Sequence, residues 1–164
     1  MFREMRRIKQ QLPAGEAAAI LDRGTSGVLA VLGDDGYPYT VPLSYVSQNG
    51  KLYFHCARTG HKLDAIARED RVSFCVIDQD KVVSPEYTTY FRSVVVFGRA
   101  RVVEDPDQLR QALTLLAEKY SADQGRERHH QVMDKELPHA AIIELTIEHM
   151  TGKEAIELVR AKQD

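Results

Sequence analysis

Ser26-Gly-Val-Leu-Ala-Val-Leu-Gly-Asp-Asp-Gly-Tyr-Pro-Tyr-Thr-Val-Pro-Leu-Ser-Tyr-Val-Ser-Gln-Asn-Gly-Lys-Leu-Tyr-Phe-His-Cys56 is the stretch that decides the fold. It holds three apolar, β-branched or aromatic runs, at 26–32, 39–47 and 51–56. Gly33-Asp-Asp-Gly36 and Asn49-Gly50 separate them. Asp-Gly and Asn-Gly tolerate positive φ at little cost, so each predicts a tight hairpin. Hairpin-linked strands are antiparallel, and parallel pairing would need a long crossover that this stretch lacks. The first run is continuous and bounded by glycines, which predicts a buried strand. Pro42 cannot donate a ladder hydrogen bond, so the second run is expected to bulge or to lie at a sheet edge.

Working outward, residues 13–21 read as a short helix with Pro13 at its start and Gly24 ending it in a left-handed conformation. A short helix is expected over 61–68 and a fourth strand over 72–77. Residues 87–103 are β-rich and predict one or two strands, bulged at Gly98. Leu109, Ala112, Leu113, Leu116, Ala117 and Tyr120 form one apolar stripe on a helix over 106–120, with Asp105 as its cap. The charged stretch 125–136, including His129 and His130, reads as solvated helix or loop. A final strand is expected over 140–147, followed by Thr151-Gly152-Lys153. About six hairpin-linked strands with few helices predict a mainly β fold, an antiparallel barrel or sandwich with peripheral helices. Residues 1–164 are read as a single domain without a linker.

Composition narrows the classes. With 43% hydrophobic and 28% charged residues, the 164-residue chain reads as globular rather than disordered. A net charge of −2 offers no excess of cations to neutralise phosphates, which disfavours nucleic acid as a partner. Cys56 and Cys75 lie in apolar runs without the spacing of zinc ligands, so they read as small buried hydrophobes and no metal is expected. The basic N-terminus is not followed by an apolar stretch, and no apolar run approaches the ~18 residues that span a bilayer. A cytoplasmic protein without a membrane partner is the expectation. Dinucleotide, phosphate-loop, nucleophile-elbow and zinc-protease motifs do not occur.

Two places could carry chemistry. In His55-Cys-Ala-Arg-Thr-Gly-His-Lys62 a strand runs into a short helix. Helix N-termini present free N–H groups and partial positive charge; Thr59, His61 and Lys62 add donors suited to a ligand phosphate. The bland alternative is a solvated basic turn, and for His55 a satisfied core histidine. In Tyr90-Phe-Arg-Ser-Val-Val-Val-Phe-Gly98, Arg92 sits in a strand so apolar that it must reach water or an anion.

The segments Gly24-Thr-Ser-Gly-Val-Leu-Ala30, Tyr37-Pro-Tyr-Thr-Val-Pro-Leu-Ser-Tyr45, Leu52-Tyr-Phe-His55, Gly60-His-Lys62, Phe91-Arg-Ser-Val-Val-Val-Phe-Gly98 and Thr151-Gly-Lys-Glu154 resemble, in order, the nitroimidazole-resistance (Nim-type) proteins. These belong to the flavin-binding split-barrel group that includes the pyridoxamine 5′-phosphate oxidases. The resemblance implies a six-stranded antiparallel split β-barrel, a homodimer, and flavin mononucleotide (FMN) at the subunit interface, with FAD as the other flavin. Val41, Pro42, Leu43 and Ser44 would line the isoalloxazine. His61 and Lys62 would hold the phosphate, with Ala57 and Thr59 beside them. Tyr90, Arg92 and Ser93 would complete the pocket, and Thr151-Gly152-Lys153 would come from the partner. His55 matches the family's histidine near the flavin ring and is the candidate catalytic residue.

Two departures from the family stand out. Many relatives carry tryptophan near the last segment, where this chain has Met150 and no tryptophan at all. The chain ends Arg160-Ala-Lys-Gln-Asp164, without the Arg-Leu-x-Pro segment with which pyridoxamine oxidases grip substrate. The leading expectation is a flavin-dependent reductase acting on a small electron-poor acceptor such as a 5-nitroimidazole. His55 would position that acceptor or donate a proton, since a histidine pKa near 6.5 admits both forms. The alternatives are a flavoprotein with another substrate, a haem- or deazaflavin-binding barrel without turnover, and a structural dimer.

Overall fold

The structure is a computed structural model that describes residues 1–163. Among these, seven strands form one antiparallel sheet in the order β2-β1-β5-β6-β7-β4-β3. They are β1 (Ser26–Leu32), β2 (Pro38–Ser44), β3 (Val46–Gln48), β4 (Lys51–Ala57), β5 (Arg71–Val83), β6 (Thr88–Val103) and β7 (Ala140–Glu154). The two edges of the sheet, β2 and β3, are separated in sequence by Tyr45 alone. The segment 38–48 therefore pairs with β1 through its first half and with β4 through its second, curling the sheet without closing its ladder. Counted as one bent strand, that segment turns seven strands into the six expected; the expected single strand over 39–47 is broken at Tyr45.

Turn chemistry explains the hairpins. Asp35 and Gly36 take φ of 54° and 77°, and Asn49 and Gly50 take 51° and 75°. Pro42 lies on an edge strand, where its missing N–H costs no ladder bond. The bulge expected at Gly98 is present, with the β6–β7 register shifting between Phe97 and Gly98. A Cβ at Gly98 would stand 2.1 Å from the Thr146 carbonyl oxygen, so only glycine permits this approach.

Among the described residues, five α-helices accompany the sheet: α1 (Ala14–Arg23), α2 (His61–Arg68), α3 (Pro106–Tyr120), α4 (Arg126–Glu136) and α5 (Ile156–Ala161). Asp105 caps α3 by accepting from the N–H groups of Asp107 and Gln108. α1 buries Ala17, Ile20 and Leu21 among Leu29, Phe54, Phe74 and Val94 of the strands. Gly24 ends α1 in an extended conformation, not a left-handed one. Its glycine requirement is spatial, because a Cβ there would meet the Tyr45 hydroxyl at 2.5 Å.

Two strands outrun their apolar patterns because polar segments pair with distant partners. β5 runs on to Val83 and β7 through Thr151-Gly152-Lys153 to Glu154, both longer than apolar patterning suggests. β1 is buried on one face only, with Val28 and Leu32 turned outward. α4 is a helix whose His129 and Met133 are buried against α3. Cys56 is buried and Cys75 partly so, and both are free thiols.

Candidate active site

A cleft of about 570 Å³ opens where the sheet splits. One wall is Pro42, Leu43 and Ser44 at the end of β2, with His55 of β4. The opposite wall is the α3–α4 pair, through Leu113, Leu116, Tyr120, His129, Val132 and Met133. The side chains alternate along β4, so His55 and Ala57 share its exposed face. On β2, Pro42 and Ser44 face outward, whereas Val41 and Leu43 pack against the core. Val41 thus offers a ligand its backbone at most. As an edge strand, β2 leaves the backbone groups of its outer side without a ladder partner.

Beyond Ala57 the chain turns through Arg58, Thr59 and Gly60 into α2. Gly60 caps α2 with φ 136°, and no atom lies within 4 Å of where its Cβ would be. No side chain caps this end, so the first-turn N–H groups of His61 and Lys62 face outward. The His61 ring stacks on Tyr39 at 4.2 Å, and its Nε2 stands 3.5 Å from Asp34. Lys62 makes no ion pair among the described residues. Burial pushes the Cys56 thiol pKa up, and the nearby charge of Lys62 offsets part of that shift.

The second group of candidate residues lies elsewhere. Ser93 pairs with Lys153 and Arg92 with Glu154, whereas His55 is level with Ile142, which pairs with Val103. Val103 lies ten positions beyond Ser93 on β6, about 33 Å along the strand. Arg92 finds its anion, as its apolar setting demands, but within the chain: Nε is 3.1 Å from Glu154 and Nη1 3.3 Å from Asp78. Asp78 also takes a two-pronged bond from Arg23 at 2.7 Å on each oxygen. Glu154, only 3% exposed, is shared with Lys162 at 2.8 Å. The Tyr90 hydroxyl donates to Glu86. Lys153 lies over the Phe91 ring. One chain therefore joins Pro42, Leu43, Ser44 and His55 in a cleft, and Ala57, Thr59, His61 and Lys62 follow His55 along the chain without lining it. The chain does not bring Tyr90, Arg92, Ser93 or Thr151-Gly152-Lys153 to the cleft.

The α4 wall is the part that sequence reading missed. The available signal was His129, Val132, Met133 and Glu136, spaced i, i+3, i+4 and i+7 within a charged segment. Salt-bridged Arg110 and Asp134, 3.1 Å apart, hold α4 to α3. The Thr114 hydroxyl reaches Met133 Sδ at 3.4 Å.

A curled, seven-stranded antiparallel sheet that does not close is consistent with a split-barrel fold. A family model described as pyridoxamine 5′-phosphate oxidase matches residues 13–154, and the chain belongs to that family. No curated protein matches the sequence significantly. Among solved structures, a conserved hypothetical protein of Mycobacterium tuberculosis is 20% identical at a TM-score of 0.79, covering 92% of this chain and 90% of that one. A proposed 5-nitroimidazole antibiotic resistance protein of Bacteroides thetaiotaomicron is 22% identical at 0.74, covering 88% and 86%. An FAD-binding protein of Mesorhizobium loti is 26% identical at 0.60, covering 89% and 97%.

Proposed function

We propose that this protein is a flavin-dependent oxidoreductase that reduces a small electron-poor acceptor, with nitro-heterocycles of the 5-nitroimidazole type as the substrate class. FMN is the proposed cofactor, with FAD the other candidate, as the FAD-binding relative suggests. The observation that carries this reading is the succession of two features along one segment of chain. His55 lines an apolar cleft, and the turn that follows its strand leads to the bare N-terminus of α2.

The residues fit a flavin phosphate. The open space at Gly60 leaves room for the anion, first-turn N–H groups can donate to it, and Lys62 brings an unpaired charge. The ring of His61 is engaged by Tyr39 and Asp34, so its backbone N–H is the group free to serve. Pro42, Leu43 and Ser44, at the end of an edge strand, would line the ring system. When bound, the flavin supplies the two electrons. Taking a nitro group to nitroso also consumes two protons and releases water, and His55 is placed in the cleft to hold or deliver one of them.

A homodimer is part of the reading, with the flavin at its interface. Tyr90, Arg92, Ser93 and Thr151-Gly152-Lys153 of a second copy would then complete the site. Exposed Leu32, Ile77 and Phe97 give the outer sheet face an apolar surface on which a copy could seat. Two free cysteines accord with the reducing cytoplasm we assign it to.

The test is an absorption spectrum after loading with FMN and removing the excess. Bands near 370 and 450 nm, lost in Lys62→Ala, are expected. A protein that retains no flavin overturns the reading. Turnover of a nitroimidazole unchanged in His55→Ala would remove His55 from the chemistry.

A further inference from the structure

His129 is 8% exposed, yet it lines the cleft. Its Nε2 stands 2.8 Å from the Ser121 carbonyl oxygen. A carbonyl can only accept, so Nε2 carries the proton, and in the neutral form of the ring Nδ1 is a bare lone pair. Nothing among the described residues bonds to that nitrogen. Nor is it sealed away, since Gln10 Oε1 is the one fully enclosed side-chain polar atom without a partner among those residues. Nδ1 therefore keeps some exposure, on a residue that lines the cleft.

The ring cannot readily turn elsewhere. Its own bond to Ser121 fixes one nitrogen, and the Arg110–Asp134 and Thr114–Met133 contacts hold α4 against α3. A rigid acceptor in an apolar cavity discriminates strongly, because a ligand lacking the matching donor leaves it unpaired.

We propose that His129 Nδ1 accepts a hydrogen bond from a ring N–H of the heteroaromatic acceptor, so that the cleft selects N–H heterocycles over their N-alkylated forms. The proposal deepens the reading above and takes its ligand class from it, but it concerns binding and not electron transfer.

The test is calorimetric titration of the protein as purified with 2-methyl-5-nitroimidazole and with 1,2-dimethyl-5-nitroimidazole. The wild type should bind the N–H compound about tenfold more tightly, the worth of one well-made hydrogen bond. His129→Phe should bind both alike, and His129→Gln, which can still donate to Ser121 and accept from the ligand, should keep part of the preference. Nitrogen-15 spectra of the wild type read the same bond without any variant: the N–H compound should shift the bare-nitrogen signal of His129 and the methylated one should leave it in place. A wild type without preference, or a preference that survives in His129→Phe, overturns the proposal. Weakened flavin retention in His129→Phe with an unchanged nitroimidazole preference would place the N–H on the flavin and overturn the assignment to the acceptor. Binding with the expected preference but no turnover would sink the reductase reading and leave this one standing.

Discussion

Tyr45 and Tyr120 are bonded in both directions: the Tyr45 N–H donates to the Tyr120 hydroxyl at 3.0 Å, and that hydroxyl reaches back to the Tyr45 carbonyl at 2.7 Å. The same hydroxyl also touches the Thr25 carbonyl, and the Tyr45 hydroxyl donates to Leu21 at 2.7 Å. Beside them, Lys119 donates to the Gly24 carbonyl and sits 4.5 Å from the Tyr45 ring centre. The end of α3 is thereby tied to the point where the bent strand passes from one sheet edge to the other. One wall of the cleft is hung from the other through a single phenol.

Tyr120→Phe removes that tie and leaves the Tyr45 N–H unpaired. Because the phenol is partly exposed, water can replace some of the loss, and the cost should lie near 1 kcal/mol. Urea unfolding should show it as a lower midpoint with unchanged slope. Nitroimidazole binding should weaken as well, since the α3–α4 wall is no longer fixed. Stability equal to wild type would show that the tie carries no weight.

The acid limb of stability should depend on Asp78. The Arg23 guanidinium holds its carboxyl below the ordinary value of 3.8, with Arg92 adding to the effect. A carboxylate with a depressed folded pKa stabilises the protein above its unfolded pKa, and that contribution is lost as pH falls below about 4. Asp78→Asn should therefore be less stable than wild type at pH 7 and approach it near pH 3. Unfolding free energies across that range check the convergence; parallel curves would refute it.

Two glycines should respond very differently to alanine. At Gly98 the new Cβ would meet the Thr146 carbonyl, backbone that cannot move without breaking the β6–β7 ladder. The loss should reach about 3 kcal/mol or abolish folding. At Gly36 nothing lies within 4 Å, so only the positive φ of 77° is penalised, at about 1 kcal/mol. Thermal melting of the two variants ranks them directly.

Local chemistry made the hairpins legible. Asp35-Gly36 and Asn49-Gly50 specify their turns without help from the rest of the chain, and the stripe from Leu109 to Tyr120 specifies α3. Tyr45 shows where such reading stops. Its own residue type favours a strand, and the break there is made by Leu21 and Tyr120, the latter 75 positions away. Arg92 is a similar case. Burial in an apolar strand demanded an anion, but sequence could not reveal that Asp78 and Glu154 supply it. The His55 and Lys62 half of the site was visible because a strand, a turn and a helix start are consecutive. The His129 wall was not, because its few inward residues are outnumbered by charged ones on the same helix.

The separation of the two candidate groups along β6 leads to the last prediction. If Ser93 serves the same flavin as Lys62, it must do so from the other chain of a dimer. Lys62→Ala and Ser93→Tyr should then each abolish flavin retention alone. After unfolding and refolding together, half the dimers are mixed by chance, and each has one doubly defective site and one intact site. About a quarter of all sites should regain flavin, as two-fold symmetry requires. Were both residues needed in one chain, every site in the mixed dimer would keep one defect and nothing would return. Flavin absorbance of the mixture at equal total protein separates the two outcomes, and no recovery would confine the cofactor site to the His55 and Lys62 half.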